Sequence, residues 1–174
     1  FAGKTVVIGE GPCLTIPENI DSDVQKRQSF GLFVANVSPN KGADTLVRAL
    51  GLLRHSGRSI EVKHVGADTQ GNFARFVAAI PHGTAPVSLG YLSDGQLSEL
   101  YSRARFLAFP SRYEGFGLPV VEAQAHGTPV IAANTGSLPY IIKDQVTGLL
   151  FDCASVESLS QKLLWLLTNP NTIP

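Results

Sequence analysis

Hydrophobic residues in this chain fall in short, nearly unbroken runs, separated by segments whose apolar positions recur every three or four residues. "FGLFVANV", residues 30 to 37, is one such run, closed by "SPNKG". Runs of this kind suit strands covered on both faces, as in a parallel sheet. Next, Leu46, Val47, Leu50 and Leu53 follow helical steps within residues 44 to 57, and Gly57 supplies the stop. Further strands are predicted at "SIEVKHVG" (59 to 66), "PVSLGYL" (86 to 92), "RFLAFP" (105 to 110), "PVIAAN" (129 to 134) and "TGLLF" (147 to 151). Helices are predicted at "NFARFVAAI" (72 to 80), "SDGQLSELYSRA" (93 to 104), "LPVVEAQAHG" (118 to 127) and "SVESLSQKLLWLLTN" (155 to 169), with one helical turn at "SLPYIIK" (137 to 143). Ser93 is a natural N-cap, with Leu97, Leu100 and Tyr101 on one face of its helix. An earlier strand candidate, "KTVVIG" (4 to 9), leads into a connector punctuated by Gly and Pro. Strands alternating with helices require parallel strands and crossover helices. The expected fold class is therefore α/β, a doubly wound, Rossmann-like parallel sheet.

Composition narrows the function classes. With 44% apolar and 16% charged residues, the chain is an ordinary globular one. Fourteen basic and fourteen acidic side chains cancel to a formal net charge of zero, which argues against duplex DNA or an anionic membrane as an electrostatic partner. Cys13 and Cys153 are too few for a disulfide framework or a four-ligand zinc site, and both read as small buried hydrophobes. His55, His64, His82 and His126 lie on different elements without metal-ligand spacing, so structural roles are expected for them. No metal is expected. No run is long enough to span a membrane, and no signal peptide is visible. The sequence opens on Phe1 and holds no methionine, so it is expected to be a piece of a longer chain.

In an open parallel sheet, ligands bind beyond the carboxyl ends of the strands where the strand order reverses. Counting from residue 30, the strands flanking that point are the first and fourth, and their loops are "SPNKGAD" and "PSRYEGFGLP". The second loop sets Gly115 and Gly117 just before a helix opening near Leu118 and Pro119. Glycines allow positive φ and close ligand approach, and a helix start offers unpaired N–H groups with partial positive charge. Together these make an anion site, most naturally for a phosphate or diphosphate. Glu122 lies one turn (about 5.4 Å) into that helix, and side chains tilt toward the helix N-terminus. A carboxylate beside phosphate needs neutral donors between them, and sugar hydroxyls are such donors. With Glu114 on the loop and Glu122 on the helix, the geometry suits a diphosphate bearing a hydroxyl-rich ring at each end, that is, a nucleoside diphosphate sugar.

"PSRYEGFGLPVVEAQAHGTPV", Pro110 to Val130, closely resembles the signature of the family-four retaining glycosyltransferases, in the C-terminal, donor-binding domain of their two-domain GT-B fold. The resemblance extends through "SPNKGADTLVRAL", "VSLGYLSDGQLSELYSRARF" and "TGLLFD", covering most of the chain from about residue 30. It implies that Glu114 contacts donor sugar hydroxyls and Glu122 the ribose hydroxyls. The backbone of Gly115, Phe116, Gly117 and Leu118 would hold the diphosphate, and Lys41 would stabilise it as it leaves. Gly90, Tyr91 and Leu92 would lie near the nucleobase. The family commonly has arginine where this chain has Asn36, so a charge-assisted hydrogen bond worth about 1.5–3 kcal/mol becomes a neutral one worth about 0.5–1.5 kcal/mol. Arg112, in the facing loop, is expected to supply part of the missing charge. Tyr140 stands where relatives often carry Glu. The implied partners are a nucleoside diphosphate sugar and an N-terminal acceptor-binding domain of the same enzyme, with no nucleic acid and no cofactor.

The expected organisation is a connector over residues 1–28 with a short strand from the interdomain region, a nucleotide-sugar-binding domain over 29–169, and a tail over 170–174. Sugar transfer to an acceptor hydroxyl is the expected reaction, and the fragment alone is expected to be inactive. The alternative is a non-catalytic nucleotide-sugar-binding or regulatory module; a sugar-nucleotide epimerase is disfavoured by the complete "EGFGLPVVEA" block. Expected location is the cytoplasm, with any peripheral membrane attachment made through the other domain.

Overall fold

In the computed structural model, which describes Leu14, residues 29–79 and residues 84–169, six parallel strands form one sheet. The strands are β1 (Phe30–Val34), β2 (Glu61–Val65), β3 (Val87–Ser88), β4 (Phe106–Phe109), β5 (Val130–Ala133) and β6 (Leu149–Phe151). The helices are α1 (Ala43–His55), α2 (Asn72–Ala79), α3 (Asp94–Arg103), α4 (Leu118–Ala125), α5 (Leu138–Ile141) and α6 (Val156–Thr168). The strand order is β3-β2-β1-β4-β5-β6, so the direction of winding reverses between β1 and β4, as the pattern predicts. The "KTVVIG" strand candidate, Cys13 and His82 lie outside the described residues.

Apart from β3, the strands feed two cores by period-2 alternation. Phe33, Phe106, Ala108, Ile131, Ala133, Leu149 and Phe151 join one cluster, with Leu46, Val47, Leu50 and Leu53 of α1 and Leu159, Leu163 and Leu166 of α6. Phe30, Leu32, Val34, Leu107, Phe109, Val130 and Ala132 join the other, with Tyr101 of α3, Val120 and Ala123 of α4 and Leu138 of α5. Both faces are covered, which is why the runs contain almost no polar residue.

Two expectations need correction. The third strand is only Val87–Ser88, exposed at the sheet edge and paired with β2 alone; two more backbone bonds, Leu89 N–H to His64 O and Gly66 N–H to Gly90 O, follow it before the regular strand geometry is lost at Gly90 (φ 69°). Cys153 is exposed rather than buried, since it follows β6 in a loop and belongs to neither core.

His64 is fully buried on β2, with Nε2 2.7 Å from the Ala35 carbonyl and Nδ1 3.0 Å from Ser88 Oγ. A ring nitrogen beside a carbonyl carries the proton, so Nε2–H donates to Ala35 and Nδ1 accepts from Ser88. Burial lowers the His64 pKa from its usual 6.5, against the opposing pulls of the Ala35 carbonyl and Asp68. A depressed folded-state pKa gives stability that is complete above the unfolded value and lost as pH falls through the folded one. The urea midpoint is therefore expected to drop between pH 7.5 and pH 5.5, and to drop less in His64→Gln.

Candidate functional site

The loops after β1 and β4 meet at the reversal point and are stitched together. Arg112 N–H donates to Asn40 O at 2.7 Å, and Asn40 Nδ2 donates to Tyr113 O at 2.9 Å. The Arg112 guanidinium grips both oxygens of Asp44, at 2.9 and 2.7 Å, and also donates to Pro39 O. Arg112 therefore stands in the facing loop as expected, but its charge is met by the Asp44 carboxylate.

Within this frame Lys41 Nζ lies 2.5 Å from Glu114 Oε1, and their side chains are 29% and 12% exposed. The ammonium also stands 5.9 Å from the centroid of the Phe109 ring. Two residues 73 positions apart in sequence are thus joined at the point where both chain and topology focus. Glu114 is held from behind as well: its carbonyl accepts from Ser137 N–H and Ser137 Oγ, both at 3.3 Å, and Ser137 Oγ also donates to Phe116 O at 2.8 Å.

Past Phe116 the chain enters α4 through Gly117, whose φ of 96° is open to few residues other than glycine. A Cβ there would also stand 2.9 Å from a Leu138 methyl. Gly115 does not take positive φ; nothing lies within 4 Å of where its Cβ would be, so its part is to leave room. Leu118 opens the helix and Pro119 follows in its first turn, where a missing N–H costs no hydrogen bond. No side chain caps this helix start; Val120 N–H and Val121 N–H both donate to Gly117 O, at 2.9 and 3.4 Å, and Pro119 has no N–H.

One turn into α4, Glu122 is 8% exposed. Its Oε2 accepts from Tyr101 Oη at 3.2 Å. Tyr101 is fully buried, and burial first, then the Glu122 charge and the hydrogen bond to it, raise its pKa well above the usual 10. His126, at the end of the helix, donates from Nδ1 to Glu122 O at 2.7 Å and pairs through Nε2 with Ser98 Oγ at 2.8 Å. Its ring lies 5.5 Å from that of Tyr101.

A second group assembles at the other end of the first loop. Asn36 is exposed, and its Oδ1 accepts from Ala67 N–H at 2.9 Å and Tyr91 Oη at 3.0 Å. The Gly90 carbonyl accepts from Gly66 N–H at 2.9 Å, and Leu92 packs on the second core. Asn36, Gly90 and Tyr91 are thus brought together, with Tyr91 74% exposed. Sequence reasoning did not foresee the Tyr91–Asn36 and Tyr101–Glu122 bonds; neither partner pair shares a local pattern.

Among the described residues, no group of three or more His, Cys, Asp or Glu is placed to hold a metal ion, and no helix is long and apolar enough to cross a membrane.

Comparison with known proteins gives concordant results. The family model of the glycosyl transferases group 1 matches residues 17–173. A D-inositol 3-phosphate glycosyltransferase of Segniliparus rotundus is 32% identical over 152 residues, 81% of this chain but only 32% of that protein. Sucrose-phosphate synthase of Thermosynechococcus elongatus superposes with a TM-score of 0.76 at 28% identity, covering 94% of this chain and 44% of that one. Anabaena Alr3699/HepE, solved in complex with UDP-glucose, superposes with a TM-score of 0.72 over 86% of this chain and 42% of that one. At 22% identity, the last is a likeness of fold.

Proposed function

This chain belongs to the glycosyl transferases group 1 family, and we propose that it is the donor-binding domain of a retaining, family-four glycosyltransferase of GT-B fold. The observation that carries this reading is the meeting of Lys41 and Glu114, 2.5 Å apart, beside the uncapped start of α4. A cation, a carboxylate and the positive end of a helix lie together there, which suits a diphosphate linked to a polyol.

In this reading the amides around Gly115, Phe116, Gly117 and Leu118 take the diphosphate. Glu114 faces the donor sugar hydroxyls and Glu122 the ribose hydroxyls. Gly90, Tyr91 and Leu92 lie toward the base, with Asn36 between base and phosphate. As the bond from the anomeric carbon to the diphosphate oxygen lengthens, negative charge grows on that oxygen. Lys41 and the helix amides meet it from fixed positions, which is electrostatic stabilisation of the transition state. The acceptor hydroxyl comes from an N-terminal domain, and sugar passes to it with retained configuration. The mechanism calls for no metal, because the helix start and Lys41 serve the phosphates. Residues 1–28 then form the connector, 29–169 the donor domain and 170–174 a tail; the enzyme works in the cytoplasm, with any membrane attachment made through the other domain. A uridine diphosphate sugar is one candidate donor, since the fold relative HepE was solved with UDP-glucose.

The test is a thermal-shift titration of the full-length protein with UDP, GDP, ADP and their sugars, followed by transfer assays. A true ligand at a hundred times its Kd adds about 2.7 kcal/mol of apparent stability. Glu114→Ala is expected to abolish sugar transfer. Binding without any transfer by the wild-type enzyme would instead select the non-catalytic module, and no stabilisation by any nucleotide would refute both.

A further inference from the structure

We propose that Tyr101 is a positioning residue for nucleotide binding, setting the orientation of the Glu122 carboxylate through its phenolic hydroxyl. The inference deepens the proposed function, resting on Glu122 as the ribose-facing acid.

Tyr101 sits near the end of α3, with no part of its surface exposed. A buried phenol needs a partner for its hydroxyl, and this one donates to Glu122 Oε2 at 3.2 Å, across the α3–α4 contact. Its neighbours fix the ring. The Tyr101 carbonyl accepts from Thr128 Oγ1, and the ring lies 5.5 Å from that of His126 at an interplanar angle of 32°. His126 is itself anchored, through Nδ1 to the Glu122 carbonyl and through Nε2 to Ser98 Oγ. Backbone and side chain of Glu122 are therefore gripped by two rings that rest on each other, and its side-chain partner Tyr101 lies 21 residues before it in sequence.

The chemistry suits a fixed donor rather than a proton carrier. Burial and the adjacent carboxylate push the phenol pKa well above 10, so the hydroxyl stays protonated at any working pH. It gives Oε2 one permanent hydrogen bond and holds the carboxylate in one rotamer. A glutamate so held meets vicinal hydroxyls without first being ordered, and lost ordering cost appears as affinity. A glutamate without that bond would sample several rotamers and discriminate poorly between a ribose and a ring lacking its hydroxyls.

The experiment compares the full-length wild-type enzyme with Tyr101→Phe and Glu122→Gln. Calorimetry measures binding of UDP, GDP or ADP, whichever binds tightest, against its 2′,3′-dideoxy counterpart. Tyr101→Phe is expected to weaken the ribonucleotide about 10-fold, the scale of one hydrogen bond to a charged group. Affinity for the dideoxy compound should be unchanged, with donor KM raised and kcat nearly kept. In a Glu122→Gln background the same replacement should cost almost nothing more, because the two act as a unit.

Equal weakening of both nucleotides would mean a packing role and overturn the inference. So would a Tyr101→Phe protein too unstable to bind the dideoxy compound, with melting curves read alongside. Selective loss in Glu122→Gln but not in Tyr101→Phe would refute the role of Tyr101 alone. No selective loss in Glu122→Gln would instead refute the placement of Glu122 beside ribose.

Discussion

Replacing Lys41 by alanine in the full-length enzyme is expected to lower kcat by about 10²- to 10³-fold, the usual consequence of losing one preorganised transition-state donor. Donor KM should change far less. The reason lies in when the charge appears: the departing diphosphate oxygen gains charge as the bond to sugar breaks, so a fixed ammonium does more for the transition state than for the bound donor. Lys41 is well placed to be fixed. Its Nζ is 2.5 Å from Glu114 Oε1, and its side chain is only 29% exposed. In the proposed function a donor competes with this pair for the ammonium, and Glu114 turns to sugar hydroxyls, so the two residues exchange one partner for two. The double variant Lys41→Ala/Glu114→Ala should therefore lose less than the sum of the single losses, since each alone leaves a partly buried charge without its counterpart. Steady-state kinetics decide the matter. A raised KM with unchanged kcat would make Lys41 a uniform binder of ground and transition states, and its role at the leaving group would be gone.

The architecture was legible because both faces of the sheet are buried. Phe30, Leu32 and Val34 point to one core and Phe33 to the other, so β1 reads as an unbroken apolar run, and β4 and β5 repeat the pattern. The reversal point followed from strand order alone, and it brought Lys41 and Glu114 together across 73 residues. Other features left no such trace. Val87 and Ser88 sit at an exposed edge, where no second neighbour enforces the pleat, and the longer run "PVSLGYL" overstated the strand. Cys153 is apolar by type yet lies in a loop after β6, where burial depends on what packs over it. The charge of Arg112 was read from its loop, but Asp44, the residue that meets it, lies 68 positions away. Periodicity put Tyr101 on the inner face of its helix; it could not say that the hydroxyl would end against Glu122. Side-chain partners distant in sequence carry no local period, and the polar half of a site is made almost entirely of such partners.

Gly42→Ala should be the most damaging small substitution in the frame of the site, destabilising the fold by about 2–5 kcal/mol. Gly42 caps α1 with φ of 65°, and left-handed backbone costs an alanine about 1–2 kcal/mol. The second part of the cost is steric. A Cβ on Gly42 would overlap the carbonyl oxygen of Pro110, a backbone atom that cannot rotate away, and overpacking of this kind adds about 1–3 kcal/mol. Relief requires the two loops to separate, and everything that joins them lies within a few residues. The Arg112–Asp44 pair, the Arg112-to-Asn40 backbone bond and the Lys41–Glu114 contact would all be stretched. Activity should therefore fall along with stability, although Gly42 itself touches no donor group. Gly57 provides the control: its φ is 76°, yet nothing lies within 4 Å of its missing Cβ. Gly57→Ala should cost only the backbone strain, about 1–2 kcal/mol, and leave kcat unchanged. Urea denaturation of both variants with parallel transfer assays separates the two terms. If Gly42→Ala and Gly57→Ala prove equally mild, the loops after β1 and β4 are not held in contact at Pro110, and the close approach of Lys41 to Glu114 loses its structural basis.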